Sequence, residues 1–254
     1  MKNITIAGYG FVGKAHETIL KQYGHTVNIV DPKLGPNRVF NTTTDGVIIC
    51  VATPSAPNGS CYMENVFDVV RDTPIFVPIL IKSTISLEGW RTLTKMFPAH
   101  KITFSPEFLR AATAEQDFKN TKKLYFSNSG DKAFWGKLFS EVFYGLTYYY
   151  EDAEALILSK CFQNSFLATK VTFFNQIYDL CDRTGTSYSD VARLLGQQDR
   201  IGSSHTEVTP DRGFGGHCLP KDTQAIVNTA GSFDVKLPLL ESIIAYNKNI
   251  RKQV

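Results

Sequence analysis

The stretch that decides the fold lies at the start of the chain: Ile4-Thr5-Ile6-Ala7-Gly8-Tyr9-Gly10-Phe11-Val12-Gly13. A short apolar run leads into Gly-x-Gly-x-x-Gly, and a helical pattern continues to about Tyr23. In a strand–turn–helix of this kind the first glycine permits the tight turn. The second lets the backbone approach a pyrophosphate, and the third lets helix and strand pack closely. The helix N-terminus offers N–H groups and the positive end of its dipole to phosphate. Asp31 stands 18 positions after Gly13, at the end of a second apolar run, Thr26 to Val30. A carboxylate there accepts hydrogen bonds from ribose hydroxyls and repels a 2′-phosphate. The pattern predicts an NAD site built from Gly8, Gly10, Phe11, Val12, Gly13 and Asp31, with Lys33 and Arg38 nearby tempering the preference over NADP. The alternative is a plain tight turn.

Further strands are expected at Val47–Val51, Ile75–Lys82, Lys101–Phe104 and Lys123–Phe126, and helices around 63–71, 87–97 and 132–143. Alternation of this kind predicts βαβ units and a parallel sheet, an α/β fold of the Rossmann-like, doubly wound type. Pro54 stops the third strand at its C-terminal end, where open parallel sheets bind ligands, so Thr53 is a candidate cofactor contact. A simple strand-ending turn reads equally well.

Composition sets wide bounds. The chain has 254 residues, and 27 Lys+Arg against 24 Asp+Glu give a net charge of +3. At roughly 150 residues per domain this is one large or two modest domains. Hydrophobic residues at 43% and charged residues at 20% exclude a disordered or fibrous chain. So small a net charge, without a basic run, argues against nucleic acid. No apolar stretch approaches the ~20 residues that span a bilayer, so no membrane segment is expected. Five cysteines (50, 61, 161, 181, 218) without a C-x-x-C pair fit reduced thiols in the cytoplasm, and no metal site.

The character changes near residue 150. From Glu151 to about Arg183 there is neither Gly nor Pro, and apolar residues recur at helical spacing. This predicts one helix of about 30 residues, roughly 45 Å long. A helix at Ser189–Leu195, a glycine-containing loop from Gly196 to Gly216, and helices from Pro220 and about Leu237 complete an all-helical half. The expected division is 1–150 for the cofactor domain and 151–254 for the helical domain. Within Gly213-Phe-Gly-Gly-His-Cys-Leu-Pro-Lys-Asp222, Cys218 is expected just before a helix N-terminus, where the dipole lowers a thiol pKa. Glycines around it let a substrate approach. That arrangement suits a nucleophilic thiolate; the plainer reading is a small residue at a helix cap.

With Gly8–Gly13, Ile81-Lys-Ser-Thr-Ile85, Phe104-Ser-Pro-Glu-Phe-Leu-Arg110, Asn164-Ser-Phe-Leu-Ala-Thr-Lys170 and Gly213–Asp222 in this order, the chain resembles the UDP-glucose/GDP-mannose dehydrogenase family over nearly its whole length. The resemblance implies a four-electron oxidation of a sugar C6 hydroxyl to a carboxylate with two NAD, UDP-glucose being the favoured substrate. It assigns Cys218 as the nucleophile that forms a thiohemiacetal and then a thioester. Lys160 matches a lysine near C6 that stabilises oxyanion charge, and Asn164 an asparagine at the same oxygen. Their i, i+4 spacing puts both on one helix face. Asp222 matches an aspartate that holds water or helps remove a proton, Thr84 a threonine near that water and the nicotinamide, and Glu107 a general base for thioester hydrolysis. Phe108, Leu109 and Arg110 match the segment whose backbone meets the substrate. Arg200, Phe214, Gly215 and Gly216 match the substrate loop, and Lys221 a residue near the cofactor. The long helix matches the family's dimer-forming helix and implies a homodimer. Taken singly, Lys160, Glu107 and Asp222 read as ordinary surface, turn and helix-start residues.

Three departures accompany the resemblance. Ala111 stands where members carry a second glutamate; only Pro32 to Gly46 joins the second and third strands; and the chain reaches Val254 where the family continues into a third, nucleotide-gripping domain. A short form lacking that domain is therefore expected. Two other readings stay open. One is a β-hydroxyacid-type dehydrogenase using Lys160 without a thiol step. The other is an impaired NAD-binding subunit that pairs with a longer enzyme.

Overall fold

The computed structural model describes residues 1–35, 43–56 and 59–251. Residues 36–42 of the Pro32–Gly46 connection, Arg38 among them, therefore lie outside the described residues. The chain divides into two compact units. One comprises Met1–Ala56 with Cys61–Lys160, the other Pro57–Ser60 with Cys161–Val254.

The first unit is an α/β fold. Strands β1 (Asn3–Ala7), β2 (Thr26–Val30), β3 (Gly46–Ile49), β4 (Ile79–Ile81) and β5 (Ile102–Phe104) form a sheet in the order β2-β1-β3-β4-β5. Every pairing is parallel. Each residue of β3, β4 and β5 is buried, as expected of a parallel sheet covered on both faces. Helices α1 (Phe11–Gln22), α2 (Glu64–Asp72) and α3 (Leu87–Met96) make the crossovers. Ser86 caps α3 by accepting the Gly89 N–H at 3.1 Å. After a short α4 (Ala114–Lys119), strand β6 (Lys123–Ser127), α5 (Lys132–Val142) and β7 (Thr147–Glu151) follow.

Two expectations are corrected here. The fourth strand is not Ile75–Lys82 but only Ile79–Ile81. Pro74 and Pro78 have no N–H to donate, the Val77 N–H turns back onto the Pro74 carbonyl at 2.9 Å, and Ile75 and Phe76 are exposed. Strand β6 does not extend the five-stranded sheet; it pairs in parallel with β7, an element the spacing did not announce. Side chains bridge the gap to β5 instead. The Phe104 N–H donates to Ser127 Oγ at 2.8 Å, and Ser129 Oγ donates to the Ile102 carbonyl at 3.0 Å. The core between α1, α4, α5 and β6 is strongly aromatic, with Trp135, Phe118, Phe126 and Phe139 buried.

The long helix α6 (Ala153–Thr184) has 32 residues and begins under Asp152, whose Oδ1 accepts the Glu154 and Ala155 N–H groups at 2.9 and 3.0 Å. The second unit takes most of α6, with α7 (Tyr188–Gly196), α8 (Cys218–Ser232) and α9 (Pro238–Ile250). Among the described residues all its regular elements are helical. Helix α8 starts at Cys218 with His217 in the cap position, so the thiol is the first helical residue rather than a residue preceding a helix at Pro220.

Candidate functional site

In the first unit the glycine turn has the geometry a dinucleotide needs. Gly8 has φ of +94°, and a Cβ there would lie 2.5 Å from the Cys50 carbonyl oxygen. A Cβ on Gly13 would lie 2.2 Å from the Gly8 carbonyl oxygen, which shows how closely α1 packs on the turn. Gly10, in the cap position of α1, has nothing within 4 Å of where a Cβ would be. Backbone N–H groups at the start of α1, carried by Phe11 and Val12, receive no side-chain cap from Gly10. The close contacts at Gly8 and Gly13 beside open space at Gly10 fit a pyrophosphate.

Asp31 is tied into this turn. Its Oδ2 accepts the Tyr9 N–H at 2.7 Å and its Oδ1 the Lys33 N–H at 2.8 Å. A carboxylate has about four lone-pair sites, so two remain for ribose hydroxyls. Thr53 is buried and its Oγ1 donates to the Thr84 carbonyl at 2.6 Å, fastening the end of β3 to the turn after β4.

The Ser105-Pro106-Glu107 segment after β5 is wholly buried. Lys160 Nζ donates to the Glu107 carbonyl and lies 3.3 Å from Glu107 Oε1. Glu107 Oε2 accepts the Leu109 N–H at 2.8 Å. Lys160 also sits 5.0 Å from the centroid of the half-exposed Phe108 ring. Arg110 is turned outward. Its guanidinium holds Asp117 at 2.6 and 3.0 Å, and that contact keeps the Asp117 carboxyl far below the usual range. The Arg110 N–H also reaches Asp117, at 3.0 Å. Two N–H groups of the expected substrate-binding segment are thus already bonded.

In the second unit Asp222 is fully buried and held from both sides. Asn164 Nδ2 donates to its Oδ2 at 2.6 Å, and Lys221 Nζ donates to its Oδ1 at 2.7 Å. Cys218 stands one helical turn before Asp222 on α8, partly exposed and outside any disulfide. Gly216 has φ of +74°, and nothing lies within 4 Å of where its Cβ would be. Phe214 is buried, and its backbone is clamped by one side chain: Asn247 Oδ1 accepts the Phe214 N–H at 2.8 Å while Asn247 Nδ2 donates to its carbonyl at 3.0 Å. Asn175 Oδ1 accepts the Gly213 N–H at 3.0 Å and Arg212 Nε at 2.9 Å. A Cβ on Gly215 would lie 2.2 Å from Arg251 Nη2. Arg200 is exposed on the loop after α7.

Sequence reading passed over Asn175, Asn247, Lys82 and His16. Lys82 carried a signal, since a lysine that ends an entirely apolar strand is seldom buried without a task. The two asparagines carried none, because their partners lie 33 and 38 positions away.

Comparison with known proteins fits these arrangements. The central-domain model of the UDP-glucose/GDP-mannose dehydrogenase family matches residues 152–249. The UDP-glucose 6-dehydrogenase of Rhizobium meliloti (strain 1021) is 30% identical over 302 aligned positions, which cover 98% of this chain and 68% of that protein. The chain belongs to the UDP-glucose/GDP-mannose dehydrogenase family. Another relative, UDP-glucose 6-dehydrogenase YwqF of Bacillus subtilis (strain 168), is 28% identical over 97% of the chain and 66% of its own length. The chain thus spans about two thirds of these relatives. Among solved structures, a UDP-glucose dehydrogenase from the archaeon Pyrobaculum islandicum superposes with a TM-score of 0.83 at 23% identity, over 98% of this chain and 68% of that one. A 3-hydroxyisobutyrate dehydrogenase of Mycobacterium tuberculosis shares the fold, with a TM-score of 0.71 at 16% identity, and 93% of it is covered.

Proposed function

We propose that the chain oxidises the C6 hydroxyl of a nucleotide sugar, UDP-glucose first among them, to a uronate with NAD. The observation that carries the reading is the thiol loop: Cys218 opens α8 behind Gly215 and Gly216, one turn from an Asp222 fixed by Asn164 and Lys221. When bound, NAD supplies the hydride acceptor, and the four-electron reaction consumes two of them.

The residues divide the remaining work. Gly8, Gly10 and Gly13 with the start of α1 hold the pyrophosphate, and Asp31 the ribose. Thr84 and Lys221 are assigned to the cofactor's surroundings by resemblance, Thr53 by its place after β3 and Lys33 by its nearness to Asp31. The Cys218 thiolate adds to the C6 aldehyde, and the acyl group it later carries as a thioester leaves to water. Glu107 takes the proton of that water. Lys160 and Asn164 offer N–H donors to oxygen that gains negative charge. Phe108, Leu109, Arg110, Arg200 and Phe214 to Gly216 contact the sugar nucleotide. The protein works as a homodimer through α6 and, in this reading, in the cytoplasm.

A single-step β-hydroxyacid oxidation is the competing reading, favoured by the shared fold of the 3-hydroxyisobutyrate dehydrogenase. The two are separated by counting NADH per UDP-glucose consumed in wild type and Cys218→Ser. Two NADH per sugar, lost or stalled in the variant, is the expected result. One NADH per substrate, indifferent to the substitution, would favour the hydroxyacid reading. NAD binding without turnover of any nucleotide sugar would leave an NAD-binding subunit.

A further inference from the structure

The roles assigned above leave one buried charge unused. Lys82 follows β4 and is 4% exposed. Its Nζ donates to Ser105 Oγ at 3.0 Å and to the Pro106 carbonyl at 3.2 Å, both uncharged acceptors. Among the described residues it forms no ion pair. An ammonium held in the interior on neutral acceptors alone is costly, so stability does not explain it. Its location does. Lys82 grips residues 105 and 106, and Lys160 grips the carbonyl and carboxylate of residue 107. The two lysines hold the three residues Ser105, Pro106 and Glu107 from different elements. Lys82 and Glu107 also line one cavity of about 370 Å³ in the first unit, together with His16, Phe118 and Tyr125.

We infer that Lys82 is a positioning residue for Glu107: its ammonium fixes the Ser105–Pro106 turn that carries the carboxylate and keeps a positive charge behind it. This rests on the proposed role of Glu107 as general base, which requires its carboxylate to be held in one place. The titratable groups facing Lys82 are Cys50, His16, Lys160 and Glu107. Burial pushes the Cys50 thiol up to about 12 and the His16 imidazole down to about 3, so both are neutral near pH 7. Lys160 is already paired with Glu107. Burial pulls Lys82 itself down to about 8, with Glu107 and Cys50 opposing and Lys160 reinforcing. The charge behind Glu107 is therefore present at neutral pH and lost on the alkaline side.

The test compares wild type, Lys82→Met and Lys82→Arg by NAD reduction with UDP-glucose across pH, and by amide hydrogen exchange of residues 105–109. A guanidinium keeps its charge at every pH used. Lys82→Met should lower kcat about 10- to 100-fold, the cost of a misplaced catalytic group. KM should stay within about twofold, because substrate binding is untouched. The wild-type alkaline fall near pH 8 should vanish in Lys82→Met and move to higher pH in Lys82→Arg. Exchange at 105–109 should quicken in the Met variant and stay at the wild-type rate in the Arg variant. Unchanged exchange in Lys82→Met, or a wild-type kcat and pH profile, overturns the inference. So does an Arg variant no better than Met. Should Lys82→Met not fold, Lys82→Gln takes its place, keeping a donor without the charge. If wild type turns over no nucleotide sugar, the proposed function falls, while the exchange comparison still decides whether Lys82 holds the turn.

Discussion

Gly10 and Gly13 lie three positions apart and perform opposite tasks, which makes them separable by one methyl group each. At Gly13 a Cβ meets the Gly8 carbonyl oxygen at 2.2 Å, and backbone cannot move aside as a side chain can. Gly13→Ala should therefore cost about 1–3 kcal/mol of stability, as overpacking does. At Gly10 a Cβ meets nothing within 4 Å and φ is −77°, so Gly10→Ala should melt as wild type does. Its methyl nevertheless stands in the open space a pyrophosphate would take. NAD affinity by calorimetry should fall in both variants, and the melting temperature only in Gly13→Ala. A Gly10→Ala protein that binds NAD as wild type does removes the cofactor from this turn. Burial also makes His16 a pH-sensitive element. Its Nδ1 bonds the Val12 carbonyl at 2.9 Å, its Nε2 has no partner among the described residues, and its pKa is pushed down to about 3. The unfolded chain takes up that proton near 6.5 and the folded chain near 3. Stability is therefore full above about 6.5 and lost as pH falls toward 3, at up to about 1.4 kcal/mol per pH unit. Urea unfolding between pH 7 and 4 should show this slope, shallower in His16→Leu. At this scale the sequence was legible where chemistry is local. Gly8 and Gly13 stand inside one short string whose spacing announces a tight turn and a close approach, and the structure has both. Lys82 and Asn247 act on backbone far away in the chain, which no spacing announces.

Two asparagine side chains hold the end of the loop before α8, at Gly213 and Phe214. Asn247 on α9 gives Phe214 the donor and acceptor a neighbouring strand would give, and Asn175 on α6 does half as much for Gly213. Asn247→Ala leaves the buried Phe214 N–H and carbonyl without partners, at about 1–3 kcal/mol for each unsatisfied group. The urea midpoint should drop accordingly. Because Cys218 lies four residues beyond Phe214, maleimide labelling of that thiol, with Cys218→Ser as the blank, should also change rate. A variant that unfolds earlier but labels Cys218 at the wild-type rate would show that the clamp serves stability alone. Elements themselves were legible in proportion to their length. Thirty-two residues without Gly or Pro have one reading, and α6 follows it within two residues at its start and one at its end. Strand β4 was overextended because Ile75, Phe76 and Val77 look like a strand by composition, while two prolines deny them a ladder. Strand β7 was missed because Tyr148-Tyr149-Tyr150 repeats one residue type and shows no alternation. It forms nonetheless, stacking Tyr125 on Tyr149 at 5.0 Å and Phe126 between Tyr148 and Tyr150.

Over the whole chain, the α/β-then-helical plan followed from the order of patterns alone, whereas which surfaces stay apolar depends on how the helices pack. Helix α6 shows the difference. The residues Lys160, Cys161, Asn164, Ala168, Val171 and Asn175 are buried along one side of it. At 100° per residue, Phe162, Phe166, Phe173 and Leu180 fall within about 40° of one another on the opposite side. They are 44%, 68%, 57% and 66% exposed. Four large apolar side chains aligned along a helix are more than the scattered exposure that a soluble surface normally carries. A second copy of the same helix, antiparallel to the first, would meet the stripe with an equal stripe, as a twofold axis requires. The expected particle is therefore a homodimer. The double substitution Phe166→Asp with Phe173→Asp places two carboxylates from each copy in that contact, where burying unpaired charge is prohibitive. Both positions are exposed in the single chain, so the monomer's own fold should be retained. Sedimentation velocity should give a dimer for wild type and a monomer for the variant, with unchanged far-UV dichroism. A wild-type monomer, or a variant that remains dimeric, would remove α6 from the interface.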